Sequence, residues 1–209
     1  MPPTVTVTTP ALDLATMPAR ELAALVRVGR LSAQDLLAPL LHRLAVRAPV
    51  LADTRHAPAA AVRLDALRRH GVALGALAAV PVLVRSDLAA AHLLQAAGAV
   101  VLVGRDDDGP AVAGAAVADR LVPVALVAGG ATVSATAAAH GLVALDLDVA
   151  GERVGVLARD VRDAGLLLGV LGASYGPAVE LTLPAGTTPA DRVIAEDRLR
   201  TTVARLQLG

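Results

Sequence analysis

Two short runs of uninterrupted apolar residues, VPVLV at 80–84 and VVLV at 100–103, constrain the fold more than any other feature of the sequence. A helical stretch over about 88–97, closed by Gly98, separates them. Strands that are apolar on both faces are typical of parallel sheets covered by helices on either side. The pattern therefore predicts one soluble α/β domain with a mixed, largely parallel central sheet flanked by helices.

Helical patterns surround this strand pair. Ser32 begins S-A-Q-D and Thr188 begins T-P-A-D, and both tetrapeptides are capping boxes that predict the start of a helix. Periodicity predicts further helices at 18–29, 32–47, 57–70, 110–119, after Ser134, at 159–171 and from 188, and further strands at 122–127, 142–147 and 179–183. We expect a single domain over 1–209, made of an N-terminal helical segment (1–72), an α/β core (79–183) and a C-terminal helix (188–209).

The charge composition excludes several classes of function. Nineteen basic residues, all of them arginine, balance nineteen acidic ones, and the chain has no lysine. A neutral chain with interspersed charges gives no electrostatic case for nucleic acid or an anionic membrane as a partner. Because cysteine is absent, disulfides, thiolate metal sites and cysteine nucleophiles are excluded.

Two segments bear on localisation. The N-terminus, MPPTVTVTTPALDLA, has neither a basic region nor an apolar core typical of a signal peptide, so we expect a cytoplasmic protein. Between Arg120 and Asp146 lie twenty-five residues without a formal charge, enough to cross a bilayer. Proline, glycine, serine and threonine interrupt this stretch, which favours a buried strand–loop–helix segment over a membrane span.

Three segments, in chain order, resemble the amidase-signature hydrolases. The first, ELAALVRVGRLSAQDLLAPLLHRL (21–44), is similar to that family's opening helix, turn and second helix. The second segment begins with AVPVLVRSD (79–87), which is similar to the family's strand G-V-P-[VI]-x-V-K-D. It continues with LLQAAGAVVLVGRDD (93–107). The third runs from Ala118 to Gly172 and contains GGATVSATAAAHGLVAL, similar to the glycine–serine signature loop, and RVGVLARDVRDAGLLLGVL. The resemblance implies a contracted amidase-signature-like fold.

The resemblance also implies where the family's serine–serine–lysine machinery should lie. The lysine position falls on Arg85, whose guanidinium cannot be deprotonated and so cannot act as a general base. By spacing back from Leu121, the bridging serine falls on Pro110. The nucleophile falls on Thr132 when the segment is aligned from His140, or on Val133 when it is aligned from Leu121. Gly129 and Gly130 retain the glycines of the D-x-G-G-S loop, whose backbone amides form the family's oxyanion hole.

Other polar residues suggest alternative sites. Ser134, His140 and Asp146 are spaced six apart like a candidate Ser-His-Asp arrangement, but that spacing places Ser134 and His140 on different faces of a helix. We therefore favour a polar helix cap. The resemblance places His140 where the family often has a small apolar core residue or cysteine, which implies a satisfied, buried histidine. Asp87 with Asp106–Asp108 offers oxygen ligands for a divalent cation, although an exposed acidic loop is the interpretation we prefer, and we expect no metal and no cofactor.

Arg85 leaves two interpretations open. Its planar fork could anchor a ligand that carries a carboxylate or phosphate, or it could pair with Asp87 or Asp119 and fill the vacated site. Tyr175, the only aromatic residue, is expected to pack with its hydroxyl in water. The candidate pocket consists of eight residues: Arg85, Ser86, Asp87, Gly129, Gly130, Thr132, Ser134 and His140.

The sequence favours a catalytically degenerate amidase-like protein that acts as a structural or small-molecule-binding partner, in a homodimer or beside another protein. The alternative is a repurposed enzyme of specialised metabolism that uses the remodelled pocket for a rearrangement, cyclisation or elimination. Ordinary amide hydrolysis is the remaining interpretation. A ligand-sized cavity at Arg85 would favour an enzyme, and a site filled by Leu and Val side chains would favour a partner.

Overall fold

A computed structural model of the chain describes residues 13–85, 88–105, 109–172 and 179–207. Eight helices lie in these ranges: α1 (Ala19–Arg27), α2 (Ala33–Arg47), α3 (Ala57–Arg69), α4 (Ala91–Ala96), α5 (Pro110–Ala118), α6 (Ala131–His140), α7 (Val161–Val170) and α8 (Pro189–Gln207). The same ranges contain seven strands: β1 (Ala52–Asp53), β2 (Pro81–Arg85), β3 (Val100–Gly104), β4 (Val124–Ala128), β5 (Val143–Val149), β6 (Glu152–Ala158) and β7 (Glu180–Thr182). The predicted helices and strands are all present, with shifts of a few residues at their ends.

The seven strands form one mixed sheet in the order β1-β3-β2-β4-β6-β5-β7. Its centre is parallel, because β2 pairs in parallel with β3 on one side and with β4 on the other. The remaining neighbours pair antiparallel, so that β2, β3, β4 and β5 run in one direction and β1, β6 and β7 in the other. The α/β fold with a mixed sheet in which most strands share one direction is thereby confirmed.

Two strands, the two-residue β1 and the seven-residue β6, were not predicted from the sequence. Strand β6 is the longer of them. It lies between β4 and β5 and forms a hairpin with β5 across a two-residue turn, Ala150–Gly151. Both turn residues have positive φ, 54° and 86°, which is the geometry of a tight hairpin turn that follows the twist of its strands. The side chain of Asp148 supports the turn by accepting the amide of Gly151 at 2.7 Å.

The core is built from small and branched aliphatic side chains. One continuous cluster of buried Ala, Val and Leu joins the sheet to the helices on both of its faces. Strand β2 has buried residues at its first four positions and is only half-buried at its last, Arg85. This burial on both faces explains why the strand reads as an unbroken apolar run.

Two buried carboxylates attach the N-terminal helices to the rest of the fold. Asp163 on α7 accepts the backbone amides of Ala19 at 2.7 Å and Arg20 at 3.2 Å, in the first turn of α1. Asp65 on α3 accepts the amides of Ala33 at 2.7 Å and Gln34 at 3.2 Å, in the first turn of α2. Each carboxylate supplies acceptors for amides that have no partner within their own helix.

The capping boxes and the uncharged stretch have the predicted forms. Ser32 accepts the amide of Asp35 at 2.9 Å, and Thr188 accepts that of Asp191 at 3.2 Å. The stretch between Arg120 and Asp146 forms β4, a loop, α6 and the start of β5. Within the ranges that the structure describes, no helix has the length and apolar character needed to cross a membrane.

Candidate functional site

The carboxyl ends of the three parallel strands bring together the positions that the resemblance singles out. Arg85 is the last residue of β2, and it lies in register with Gly104, the last residue of β3. Pro110 opens α5, which follows β3, and Thr132 lies in the first turn of α6, which follows β4. In parallel α/β sheets this edge is where ligands and catalytic groups are usually placed. The fold thus positions Arg85, Pro110 and Thr132 where an active site would be.

Among the described residues, the cavity that Arg85 lines is small. It measures about 10 Å³ and is lined by the aliphatic side chains of Leu83, Leu126 and Val127, by Ala113 and Gly104, and by the two arginines Arg85 and Arg105. Such a volume holds about one water molecule, whereas ligand sites usually measure hundreds of Å³. Ser86 and Asp87, which belong to the candidate pocket, lie outside the described residues, as does the predicted Arg85–Asp87 pair.

Both glycines of the Gly129–Gly130 loop donate their amides to other parts of the fold. The Gly129 amide donates to the carbonyl of Arg153 at 2.8 Å, and this bond extends the pairing of β4 with β6. The Gly130 amide donates to Oδ2 of Asp146 at 2.8 Å. An oxyanion hole needs such amides to be directed at a substrate oxygen. In this chain both amides are already hydrogen-bonded.

Asp146 is the residue that holds the loop, and the sequence analysis missed this role. It lies on β5, is 3% exposed, and forms an ion pair with Arg153 at 2.6 Å in addition to accepting the Gly130 amide. Its second oxygen, Oδ1, is buried and has no hydrogen-bond partner among the described residues. An added Cβ at Gly129 would lie 2.5 Å from that oxygen, so glycine is required there by close approach.

None of the candidate nucleophile positions in the first turn of α6 is a serine. Thr132 is exposed and Val133 is buried in the core, so the two alignments place the nucleophile position in opposite environments. The glycine pair itself gives a third alignment, because the residue that follows Gly130, where D-x-G-G-S has its serine, is Ala131. Ser134 is half-buried and accepts a hydrogen bond from the Thr182 hydroxyl at 2.8 Å, which ties α6 to β7.

The expectation that His140 is buried is wrong. His140 ends α6, is exposed, and lies against α5, where an added Cβ at Gly114 would meet its ring at 3.1 Å. Gly141 ends the helix in a left-handed conformation with φ of 65°, and this turns the last residue of α6 outward. Ser134, His140 and Asp146 therefore have different surroundings, and Ser134 and Asp146 each hydrogen-bond to another residue.

Neither a metal site nor the surroundings of Tyr175 can be built from the described residues. In those ranges, no group of three or more His, Asp or Glu side chains is placed to hold a metal ion. Asp87, Asp106–Asp108 and Tyr175 lie outside them. The expectations of no metal and no cofactor stay predictions.

Comparison with solved structures identifies the fold. A vestigial protein complex that reveals the evolutionary origins of an s-triazine catabolic enzyme, solved with an inhibitor, matches 83% of this chain and 54% of that one, with a TM-score of 0.66 and 19% identity. A bacterial aryl acylamidase of the amidase-signature enzymes matches 77% of this chain and 48% of that one, with a TM-score of 0.64 and 18% identity. A 6-aminohexanoate cyclic dimer hydrolase matches 88% and 51%, with a TM-score of 0.61 and 22% identity.

No protein-family model matches the chain, and no curated protein matches it in sequence. The chain spans about half the length of these three solved structures, between 48% and 54% of each. The resemblance drawn from the three sequence segments is confirmed at the level of the fold. This chain has the fold of the amidase-signature enzymes.

Proposed function

We propose that this protein does not hydrolyse amides by the serine–lysine mechanism of the amidase-signature enzymes and serves instead as a binding partner of another protein chain or of a second copy of itself. The observation that carries the proposal is the state of the Gly129–Gly130 loop. Its two amides bond to Arg153 and Asp146, at 2.8 Å each. A carbonyl substrate would have to compete with a buried carboxylate for the Gly130 amide.

The side chains at the site support the same conclusion. Arg85 keeps its charge at every physiological pH and cannot take a proton from a nucleophile. Pro110 has no hydroxyl to relay a proton, and none of the three alignments places a serine at the nucleophile position. All three functional groups of the mechanism would have to be replaced at once.

The cavity at Arg85 also argues against the alternative of a repurposed enzyme. In the part of the chain that the structure describes, aliphatic side chains from β2 and β4 leave only about 10 Å³ beside the two arginines. A rearrangement or cyclisation needs a pocket that encloses its substrate. Filling of the site by Leu and Val was the outcome expected for a partner protein.

Two observations support a partner role. Several large aliphatic side chains are exposed on the N-terminal helices and the segments that follow them, among them Val46 at 68%, Val50 at 69% and Val62 at 49%. Exposed apolar groups of this kind favour association when they lie close together on a surface. In addition, one structure with the same fold comes from a protein complex described as vestigial. We place this association in the cytoplasm, as a homodimer or with another chain.

A hydrolysis assay on the purified chain tests the proposal. The chain is incubated with an aryl acylamide and a short aliphatic amide, and the released amine is measured. We expect the same rate as in buffer, for the natural chain and for Arg85→Met. Release above buffer that is abolished by Thr132→Val would overturn the proposal.

A reconstructed variant tests the role of the loop. Arg85→Lys and Pro110→Ser, combined in turn with Ala131→Ser, Thr132→Ser or Val133→Ser, supply the family's side chains under each of the three alignments but leave the Gly130 amide bound to Asp146. We expect all three variants to stay inactive. Native mass spectrometry of the protein from its source lysate tests the partner role, because we expect a second chain to be retained, whereas a bare monomer would count against it.

A further inference from the structure

An arginine-lined groove lies between α1, α7 and α8, away from the Gly129–Gly130 loop. It has a volume of about 610 Å³ and is lined by five arginines: Arg20 and Arg27 on α1, Arg162 on α7, and Arg198 and Arg205 on α8. The buried side chain of Leu166 contributes an apolar surface to it, and Asp197 is its single acidic residue. We call this feature the arginine groove.

Among the described residues, only one of the five arginines forms ion pairs with carboxylates. Arg20 pairs with Asp160 at 3.2 Å and with the buried Asp163 at 3.3 Å. The other four, Arg27, Arg162, Arg198 and Arg205, form no ion pair with a carboxylate in the described ranges. All four are exposed, so their guanidinium groups are available to a ligand.

The spacing of the arginines sets the shape of the ligand. Arg20 and Arg27 are seven residues apart on α1, and Arg198 and Arg205 are seven apart on α8. Seven residues are about two helical turns, so each pair lies on one face of its helix with its members about 10 Å apart. The positive charge therefore extends along the groove on both sides rather than converging on one point.

The structure assigns this groove to an acidic segment of a partner protein. Guanidinium groups bind carboxylates in bidentate fashion, and a peptide with acidic side chains at intervals can reach arginines on both helices. Its aliphatic side chains can contact Leu166. A single phosphate or a small carboxylic acid would span only part of the 10 Å. The inference gives the chemistry of a partner that the proposed function leaves open, but it does not depend on the state of the Gly129–Gly130 loop.

Fluorescence anisotropy on the full chain tests the inference. The probe is a labelled helical peptide of about twelve residues. Its glutamates and leucines lie on one face of the helix, and the glutamates are repeated over two turns. A control probe has glutamine in place of every glutamate. We expect the acidic probe to bind in a salt-sensitive manner and the glutamine probe not to bind.

A pair of charge-matched variants locates the binding. Arg198→Gln with Arg205→Gln removes two positive charges from the groove, and Arg30→Gln with Arg47→Gln removes two exposed ones elsewhere. We expect the groove variant to raise the Kd at least about tenfold and the control to change it less than about twofold. Circular dichroism verifies that each variant folds, and Arg205→Gln alone replaces the double variant if it does not.

Three results would overturn the inference. The first is equal binding of the acidic and glutamine probes, and the second is an equal increase in Kd in the groove and control variants. The third is displacement of the acidic probe by pyrophosphate or duplex DNA at the same concentration of negative charge. The last result would assign the groove to phosphate groups. Hydrolysis of an amide by the purified chain would overturn the proposed function and leave this inference standing, so the two can fail separately.

Discussion

The Gly129–Gly130 loop and the arginine groove differ in whether their polar groups have partners within the described part of the fold. At the loop, the amides of Gly129 and Gly130 donate to Arg153 and Asp146, and the adjoining cavity measures about 10 Å³. At the groove, four exposed arginines have no carboxylate partner among the residues described, and the cavity measures about 610 Å³. Polar groups that the fold has already satisfied stabilise it, while unsatisfied exposed charges are available for recognition.

This difference is the basis of the proposed function. In the amidase-signature fold the carboxyl edge of the sheet is the expected place for chemistry, whereas here the Gly129 and Gly130 amides at that edge bond within the fold. Helices α1 and α7 belong to the segments that carry the resemblance, but none of the catalytic positions that it implies lies on the face formed by α1, α7 and α8. Both proposals rest on the principle that function depends on local groups rather than on the fold.

Replacing Gly129 with alanine should have the largest effect on the loop. The new Cβ would lie 2.5 Å from Oδ1 of Asp146 and 2.9 Å from the backbone of Arg153 and Val154, which cannot move without disturbing β6. We expect Gly129→Ala to lower the free energy of unfolding by about 3 kcal/mol, measured by urea denaturation. Gly109→Ala is the control, because an added Cβ there has open space around it and φ is −69°. Equal stability of the two variants would contradict the close approach.

Removing the carboxylate of Asp146 should have the next largest effect. Asp146→Ala leaves the Gly130 amide without its acceptor and Arg153 without its partner, so we expect a loss of about 2–3 kcal/mol in the free energy of unfolding. The same measurement on Arg198→Gln, in the groove, should give a change below about 0.5 kcal/mol, since no interaction within the described residues is broken. A groove variant as unstable as the loop variant would remove the distinction between the two regions.

Asp163, beside the groove, should give a smaller and pH-dependent effect. Burial raises the pKa of its carboxyl, against the opposing hydrogen bonds from the Ala19 and Arg20 amides and the charge of Arg20. A carboxyl with a raised pKa binds its proton more tightly in the folded state, so its contribution to stability is full at low pH and is lost as pH rises through the raised pKa. Compared with Asp163→Asn, the natural chain should therefore lose relative stability as pH rises above about 4.

The pKa of the Asp65 carboxyl is shifted in the opposite direction to that of Asp163. Burial raises the pKa of the Asp65 carboxyl, but hydrogen bonds from the Ala33 and Gln34 amides and the Gln34 side chain, together with the charge of Arg68, outweigh burial and lower the pKa. Its contribution is present above the ordinary aspartate range and is lost as pH falls below that range. Unfolding free energies of Asp65→Asn and Asp163→Asn against the natural chain, measured between pH 3 and 7, should change with pH in opposite directions. Parallel changes would contradict this assignment.

Much of the fold was predictable because it depends on local patterns. The apolar runs at 80–84 and 100–103 became β2 and β3, and the capping boxes at Ser32 and Thr188 mark the starts of α2 and α8. Strand β6 was missed although Ala150–Gly151 separates two apolar segments. Alanine is not among the usual residues of a tight hairpin turn, so the positive φ that Ala150 adopts was not predictable from its residue type.

The site was less predictable because it depends on contacts between distant segments. Asp146 on β5 contacts Gly130, sixteen residues away and just after β4, although β6 lies between these two strands in the sheet. The arginine groove joins α1 to α7 and α8, whose arginines follow those of α1 by more than a hundred residues, so no local motif indicates it. His140 was expected to be buried because the resemblance places it where the family often has a small apolar core residue or cysteine, whereas here it is exposed at the end of α6.

Amide hydrogen exchange at the loop, followed by NMR, tests the central claim most directly. The claim is that the amides of the Gly129–Gly130 loop are bonded within the fold. We predict slow exchange for Gly129 and Gly130, fast exchange for Ala131 and Thr132 at the uncapped start of α6, and loss of the Gly130 protection in Asp146→Ala. Fast exchange of Gly130 in the natural chain, or a shift of its amide resonance on titration with an amidase transition-state analogue, would contradict the account.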